Sequence, residues 1–383
     1  MHKKKIVIAP DSFKESMTAK QAAESIARGF STVFRDEAAF EIIPMADGGE
    51  GTTQSLADAL EGRIYYKTVT NPMGDPVRAA YAISGDKSTA ILEAAEASGL
   101  ELVPIEKRNP LLATTYGTGE LIMAALDHGV SKIILGIGGS ATNDGGAGML
   151  EALGAHFYQR NGEKLDCGGG NLIDLDHIDI SKLDARLKNT EIVVACDVDN
   201  VLLGADGASA VYGPQKGASK EMVHLLDQAL SHYHDVQERF TGKSVKDIPG
   251  SGAAGGLGAG LIAFLEATLK PGVEIVLKET DFYNRIAQSS LVITGEGKID
   301  GQTIYGKTPI GVAKAAKQNN IPVIALCGTL GPNYEKVYEY GIDAAFSIIQ
   351  SPCEQKHALE NGPEFLEGLA RNIARILKVK SAL

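Results

Sequence analysis

Residues 136–148 form one of the few stretches of this sequence in which residue types and spacing suggest chemistry. The stretch reads Gly-Ile-Gly-Gly-Ser-Ala-Thr-Asn-Asp-Gly-Gly-Ala-Gly and overlaps the end of an apolar run, 132–137. A glycine-rich turn between a strand and a helix leaves backbone N–H groups bare and aims them at one point, which is what a phosphate requires. We predict an anion-binding turn there, and a purely structural turn that needs positive φ is the alternative. Its polar side chains are Ser140, Thr142, Asn143 and Asp144.

Acidic residues follow three predicted strands. Asp197 and Asp199 come after the strand 191–195 at spacing i, i+2, so both side chains can point the same way from its end. A carboxylate there can accept a proton from an attacking hydroxyl or hold Mg²⁺ through water. Turn-forming aspartates are the alternative. Because acidic turns also occur at 47–50 and 296–300, we predict a functional site at these strand ends.

Residues 301–308 match the P-loop pattern G-x-x-x-x-G-K-[ST] letter for letter. The predicted strand ends at Thr294, so residues 295–300 separate it from Gly301, whereas the first glycine of a P-loop follows its strand at once. The spacing therefore disfavours a true P-loop. Lys307, near a helix start, still suits a phosphate contact, with a solvated surface lysine as the alternative.

Strand–loop–helix units position the N-terminal polar residues. Residues 6–9 and 40–43 are predicted strands, each followed by a polar loop and a helix, and the first helix starts with the capping-box pattern Thr18-x-x-Gln21. Successive units of this kind imply a parallel sheet, and ligands gather outside the carboxyl ends of such strands. The side chains expected to face one crevice there are Asp11, Lys14, Asp47 and Glu50.

The pattern of segments changes twice along the chain. From residue 65, turn-rich alternating segments at 66–70, 77–83 and 89–93 are typical of antiparallel strands, and a strand at 291–294 resumes the Rossmann-like pattern. We predict an α/β protein of two domains with a ligand cleft between them. Residues 1–72 and 288–383 would form a discontinuous Rossmann-like parallel-sheet domain, and residues 73–287 an inserted, mixed α/β domain with glycine-rich loops.

Composition disfavours several classes of partner. The chain has 383 residues, 44% of them hydrophobic, and a net charge of −11 without basic blocks, which argues against nucleic acid and anionic membranes. No apolar run approaches the roughly 18–20 residues of a membrane-spanning helix, and no signal-peptide pattern precedes the first strand. The 4 cysteines lack disulfide or zinc spacing. We expect a cytoplasmic protein with free thiols.

The candidate residues favour phosphoryl transfer. No serine or cysteine pattern supplies a histidine base partner, which disfavours acyl transfer, whereas glycine turns, carboxylates and lysines suit chemistry done by positioning and charge. A nicotinamide enzyme fits less well, because no G-x-G-x-x-G follows the first strand. A hydroxy-acid dehydrogenase and a non-catalytic metabolite or nucleotide sensor on the same scaffold remain alternatives.

Five motifs, in this order, resemble those of the bacterial glycerate kinase family. They are Asp-Ser-Phe-Lys at 11–14, Ala-Asp-Gly-Gly-Glu-Gly-Thr at 46–52, the glycine-rich stretch 138–146, Gly-Ala-Ala-Gly-Gly at 252–256 and Thr-Gly-Glu-Gly-Lys at 294–298. The resemblance runs nearly end to end and implies ATP-dependent phosphorylation of D-glycerate. It implies 2-phosphoglycerate as the usual product, and 3-phosphoglycerate in some relatives. One departure is Val201, where the family pattern has proline, and it bears on the placement of Asp199.

The resemblance leads to a predicted mechanism. Asp197 is the expected general base, Asp47 the other candidate for that role, and Lys14 a catalytic residue that would hold the glycerate carboxylate together with Ser12. Further expected glycerate contacts are Asp11, Gly48, Gly49 and Glu50. The expected ATP contacts are Gly138, Gly139, Ser140, Asn143 and Lys307. Mg²⁺ is the expected cofactor, with Asp199 or Glu296 as its protein ligand, and a homodimer is the candidate assembly.

Overall fold

The computed structural model of the chain describes residues 3–49 and 51–380. Its strands are β1 (Lys4–Ile8), β2 (Ala38–Ile42), β3 (Arg63–Thr70), β4 (Pro76–Ile83), β5 (Thr89–Glu93), β6 (Lys132–Gly136), β7 (His156–Gln159), β8 (Leu175–Asp179), β9 (Glu191–Ala195), β10 (Thr268–Lys270), β11 (Leu291–Ile299), β12 (Val323–Leu330) and β13 (Ala344–Ser347). Its α-helices are α1 (Ala19–Phe34), α2 (Thr52–Ala59), α3 (Ala95–Ser98), α4 (Tyr116–Leu126), α5 (Ala147–Ala152), α6 (Ala208–Tyr212), α7 (Lys220–Thr241), α8 (Ala253–Leu265), α9 (Gly272–Glu279), α10 (Phe282–Arg285), α11 (Thr308–Lys317), α12 (Gln355–Glu360) and α13 (Gly362–Lys380).

The chain divides into two compact units. The first consists of the chain up to Asp47, Gln54–Leu60 and the chain from Val273 onward, and the second consists of Gly48–Thr53 and Glu61–Gly272. The α/β class, with one parallel and one mixed sheet, is as predicted. The domain boundaries proposed from the sequence, at residues 72 and 288, and the cleft between domains remain predictions.

A five-stranded parallel sheet forms the centre of the first unit, in the order β13-β12-β11-β1-β2. The chain leaves β1 toward β2 on one side, while β11, β12 and β13 extend the sheet on the other. The strand order therefore reverses between β1 and β11. In open parallel sheets, ligands bind outside the carboxyl ends of the strands at such a reversal. The loops after β1 and β11 are thus the first unit's expected ligand contacts.

Helices α1 and α13 pack closely in the core of the first unit. Ile26 and Phe30 of α1 lie in one buried apolar cluster with Leu366 and Ala370 of α13. A Cβ added at Gly29 would lie 2.5 Å from the Glu367 carbonyl oxygen, so glycine permits this close approach. The predicted capping box at the start of α1 is confirmed, because the side chains of Thr18 and Gln21 accept hydrogen bonds from each other's backbone N–H groups.

The second unit contains a six-stranded mixed sheet in the order β10-β9-β6-β5-β4-β3. The predicted antiparallel pairing is confirmed for β3 with β4 and for β4 with β5. Strand β5 also pairs in parallel with β6, so the sheet changes from antiparallel to parallel at that strand. The carboxyl ends of β5, β6 and β9 therefore lie at one edge.

Strand β11 is longer than the sequence predicted. Residues 295–299 continue it, because Gly295 to Ile299 stay in register with Leu326 to Leu330 of β12. Only Asp300 then separates the strand from Gly301, and α11 begins at Thr308. The expected six-residue gap was wrong, so the P-loop pattern at 301–308 does lie between a strand and a helix.

Candidate active site

A pocket of about 400 Å³ in the second unit is lined by six glycines together with residues that carry side chains, among them Arg78, Glu93, Glu96 and Glu101. Its glycines are Gly48, Gly49, Gly99, Gly136, Gly138 and Gly139. Glycines leave peptide groups uncovered, which allows a charged ligand to approach the main chain closely. The pocket brings together four predicted site residues from two separate motifs, Gly48 with Gly49 and Gly138 with Gly139.

The glycine-rich turn presents its backbone to this pocket. Gly138 and Gly139 are exposed, and within residues 3–49 and 51–380 their N–H groups donate no backbone hydrogen bond. Gly139 has φ +70, a left-handed conformation that favours glycine, and a Cβ added at Gly138 would meet no atom within 4 Å. Two bare N–H groups at the end of a parallel strand can bind an anionic oxygen.

The polar side chains of the same turn point into the protein. Ser140 and Asn143 are buried, and Asn143 Nδ2 donates to Ser209 Oγ at 3.0 Å. Asp144 accepts from Thr115 N and Oγ1, Gly146 N and Gly148 N. Burial raises the pKa of Asp144, although these four hydrogen bonds oppose the rise. These side chains therefore shape the turn, and Gly138 and Gly139 form its pocket face.

Asp197 lies just beyond β9 and is exposed. Its Oδ1 accepts from Gly272 N at 2.9 Å, and a Cβ added at Gly48 would lie 3.4 Å from its Oδ2. The structure thus brings the predicted base next to a glycine of the pocket wall. Asp199 is exposed as well. The next residue, Asn200, stabilises this turn because its side chain donates to the Asp206 carbonyl and accepts from the Tyr212 hydroxyl.

An acidic cluster, defined here as Asp11, Asp47 and Glu296, lies in the first unit. Burial and the Asp47 charge raise the pKa of Asp11 to about 7, against the effect of a hydrogen bond from Thr308 Oγ1. Burial also raises the pKa of Glu296 to about 7, and the Asp47 charge adds to this shift. Burial and repulsion from neighbouring carboxylates favour the protonated forms of Asp11 and Glu296, and a bound cation would reverse that preference.

The loop after β11 supplies the remaining polar groups around this cluster. Glu296 accepts from Thr303 Oγ1 at 2.8 Å, and its Oε2 lies 3.5 Å from Lys307 Nζ. Thr308, the first residue of α11, donates from its hydroxyl to Asp11 Oδ2 at 2.5 Å. Strand β1 and the segment at 301–308 thus meet at the reversal point of the sheet.

Lys14 lines a second pocket of the first unit, of about 430 Å³, whose apolar lining includes Phe13 and Leu359. Ser12 donates its backbone N–H to Asp11 Oδ1 at 2.6 Å, so it lies beside the acidic cluster. The predicted contact Glu50 lies outside the described residues.

The oxygen atoms of the acidic cluster have the chemistry of metal ligands. The carboxylates of the acidic cluster and the Thr308 hydroxyl are hard oxygen donors, the kind that Mg²⁺ prefers. Among the described residues, His234, Asp235 and Glu238 are the group of three potential ligands whose donor atoms lie within 4.8 Å of one another. Val245 N donates to His234 Nε2, which leaves the proton of the neutral ring on Nδ1. A protonated Nδ1 cannot ligate, so that group is not a metal centre.

Sequence reasoning missed three residues. Arg78 and Glu93 line the glycine-walled pocket, and Glu93 accepts from Thr53 N at 2.7 Å. Nothing in their strand patterns distinguishes them from structural residues. Thr308 carried a signal, since it is the last letter of the pattern at 301–308.

Known proteins resemble this chain over its whole length. A model of the glycerate kinase family matches residues 6–378. A glycerate kinase of Halalkalibacterium halodurans is 58% identical over 96% of this chain and 97% of its own length. A glycerate 2-kinase of Escherichia coli is 51% identical over 98% of each chain. The crystal structure of a putative glycerate kinase 2 from Salmonella typhimurium superposes with a TM-score of 0.93, at 50% identity and 100% coverage of both chains.

These matches do not support the dehydrogenase or sensor alternatives. Among the described residues, no helix combines the length and apolar composition needed to cross a bilayer.

Proposed function

Because this chain belongs to the glycerate kinase family, we propose that it transfers the γ-phosphoryl group of ATP to D-glycerate. Phosphoryl transfer depends on positioning and on stabilising charge, not on a covalent protein intermediate. The observation that carries the proposal is the convergence of Gly48, Gly49, Gly138 and Gly139 on one pocket, beside the Asp197 carboxylate.

ATP phosphate oxygens bind the exposed backbone of Gly138 and Gly139. The bare N–H groups there can donate to them without a side chain in the way. Ser140 and Asn143 support the turn from inside. Lys307 contributes a positive charge near Glu296, and its contact with a phosphate stays part of the proposal.

Asp197 acts as the general base on the attacking glycerate hydroxyl. The Gly272 N–H donates to Oδ1, and a Cβ added at Gly48 would lie 3.4 Å from Oδ2, so the carboxylate is next to the pocket wall. Asp47 remains the second candidate for the base. Lys14 and Ser12 bind the glycerate carboxylate, with Asp11, Gly48, Gly49 and Glu50 as further contacts.

Mg²⁺ would be held by Glu296, beside Asp11, in preference to the exposed Asp199. A bound Mg²⁺ neutralises phosphate charge during transfer. The raised pKa values of Asp11 and Glu296 support this preference, because both groups would gain from a nearby cation. The proposal also includes a cytoplasmic location and a homodimer.

A coupled ADP-release assay with purified protein, Mg-ATP and D-glycerate tests the proposal, and ³¹P NMR of the product identifies the phosphorylated hydroxyl. We expect glycerate-dependent turnover and a phosphate on the secondary hydroxyl, the 2-phosphoglycerate product. A phosphate on the primary hydroxyl would correct the product to 3-phosphoglycerate. Bound ATP without any turnover of D-glycerate would refute the substrate.

A further inference from the structure

Lys216 is a fully buried lysine that no step described above uses. It lies on the short turn Pro214–Lys216 of the second unit and is 2% exposed. Lysine is almost never fully buried without a carboxylate partner, because removing an ammonium group from water is costly. Its burial therefore needs an explanation.

The partners of Lys216 belong to the glycine-rich turn. Its Nζ donates to Ser140 Oγ at 2.9 Å and to the Thr142 carbonyl oxygen at 2.7 Å. Both acceptors are neutral. The nearest acidic influence is Asp144, whose oxygens already accept four hydrogen bonds from Thr115, Gly146 and Gly148. The positive charge of Lys216 is thus not matched by a hydrogen-bonded carboxylate.

The turn next to Lys216 keeps unused hydrogen-bonding capacity, and Lys216 itself is close to losing its charge. Thr142 Oγ1 and Asn143 Oδ1 are buried atoms without a hydrogen-bond partner, so polar capacity remains unused on both residues next to the Lys216 contacts. Burial lowers the pKa of Lys216 to about 7, with the Asp144 charge opposing the shift. A neutral amine has two N–H donors, which the two contacts with the turn satisfy, whereas an ammonium group has three.

We propose that Lys216 is a positioning residue that holds the glycine-rich turn from its interior side and supplies the positive charge that balances phosphates bound at Gly138 and Gly139. The inference rests on the proposed function, since it takes ATP as the ligand of this turn. It goes further by predicting that ATP binding drives protonation of Lys216. An approaching polyanion stabilises the ammonium form, so the protein takes up protons as ATP binds.

The charged groups near Lys216 set the direction of the pH effect. Asp144 favours the ammonium form in the free protein, while Arg108, whose guanidinium donates to the Gln215 carbonyl, adds positive charge to the same turn. Tyr233, buried near Asp144, has a raised pKa and stays neutral. Among the charged groups around this turn, Lys216 is the one with a pKa of about 7, so its loss of charge should lower ATP affinity as the pH rises above 7.

Calorimetric titration of ATP into the protein without glycerate tests this inference, in buffers of different ionisation enthalpy, which reports protons taken up. At pH 7 we expect the wild type to take up about half a proton more than Lys216→Met, because a group with a pKa of about 7 is then half protonated. We expect Lys216→Met to bind ATP about 10- to 100-fold more weakly, since it lacks the balancing charge and the two hydrogen bonds that hold the turn. Lys188→Met, at an exposed lysine, is the control and should bind as the wild type does.

Steady-state kinetics separates a positioning role from general damage. We expect Lys216→Met to raise the KM for ATP more than it lowers kcat, and Lys216→Arg to recover part of the ATP affinity. Equal ATP affinity and equal proton uptake in a folded Lys216→Met variant would overturn the inference. If that variant does not fold, the wild type alone decides: an ATP affinity that stays flat between pH 6.5 and 8.5, after correction for nucleotide ionisation, overturns it. Failure of the proposed function appears elsewhere, as absent glycerate-dependent ADP release.

Discussion

The acidic cluster of the first unit and the glycine-walled pocket of the second would present different groups to a charged ligand. The first concentrates side-chain carboxylates, Asp11, Asp47 and Glu296, at the reversal point of a parallel sheet. The second presents bare backbone at Gly138 and Gly139, with a buried lysine behind the turn.

Burial shifts pKa values in both regions, upward for the carboxylates of the first and downward for the lysine of the second. Burial raises the pKa of Asp11 and Glu296 to about 7 and lowers the pKa of Lys216 to about 7. Asp11, Glu296 and Lys216 would therefore each gain from a nearby ligand of opposite charge. We infer that the first unit suits a cation and the second suits phosphate.

The largest expected effect concerns Asp197, the proposed general base and an exposed carboxylate of the second unit. Asp197→Asn removes a general base while keeping a similar shape, so we expect kcat to fall by about 10²- to 10⁴-fold. Asp199→Asn, two residues further on and also exposed, is the matched control and should lose much less. An Asp197→Asn variant that folds and keeps most of its kcat would end the assignment and leave Asp47 as the base.

The next largest effect is expected in the free energy of unfolding, which should depend on pH through Asp11 and Glu296 of the first unit. Asp11 and Glu296 have pKa values raised from about 4 in the unfolded chain to about 7, so their stabilising contribution is complete below pH 4 and is lost as pH rises through 7. The free energy of unfolding, followed by urea titration, should therefore decline from pH 5 to 8. Asp11→Asn should reduce this decline by about 1–3 kcal/mol.

A control variant and added Mg²⁺ test whether the pH dependence of stability comes from the acidic cluster. Asp36→Asn, at an exposed position of the same unit, should leave the pH profile as in the wild type. Added Mg²⁺ should recover part of the wild-type stability at pH 8. If the free energy of unfolding changed with pH in the same way for wild type and Asp11→Asn, the Asp11 carboxyl would not have the raised pKa described above.

A smaller effect is expected at the glycine-rich turn. Gly138→Ala places a methyl group in open space without positive-φ strain, so stability should change by no more than about 0.5 kcal/mol. The methyl would crowd the phosphate face, and we expect the KM for ATP to rise about 10-fold, or about 1.4 kcal/mol. Gly129→Ala is the control: its φ of +76 makes it lose stability, but it should keep the wild-type KM. An unchanged KM in Gly138→Ala would remove this turn from the ATP site.

The smallest expected effect concerns the N-terminal cap of α1, which should affect stability and not catalysis. Thr18→Ala deletes the side-chain cap of α1, so the free energy of unfolding should drop by about 1 kcal/mol. Kinetic constants should stay unchanged, because the cap only stabilises the helix. A clear change in KM or kcat would mean that α1 transmits strain to the loop after β1.

Local patterns predicted most of the fold. The capping box at Thr18 and the strand 191–195 were correct, because hydrogen-bonding residues and β-branched runs act locally. The extension of β11 to Ile299 was missed, since Gly295 and Gly297 signal a loop locally and only pairing with β12 makes that segment a strand. Pairing with β12, and not the local sequence, therefore determines where β11 ends.

The site was predictable in part. The glycines of 136–148 and 46–52 were predicted to form functional loops, and the structure places members of both at one pocket. Lys216 could not be found, because a lysine in Gly-Pro-Gln-Lys-Gly is typical of an exposed turn and only the packed turn at 140–142 buries it. The raised pKa of Asp11 likewise depends on Asp47 and Thr308, which are distant in sequence.

A crystal structure of the protein with Mg²⁺ and a nonhydrolysable ATP analogue would test most directly which region binds which charge. We predict phosphate oxygens within hydrogen-bonding distance of the Gly138 and Gly139 N–H groups, and the metal ion near Glu296 and Asp11. Phosphates bound with no contact to Gly138 or Gly139, or a metal ion held by Asp199 and not by the acidic cluster, would contradict this division between the two units.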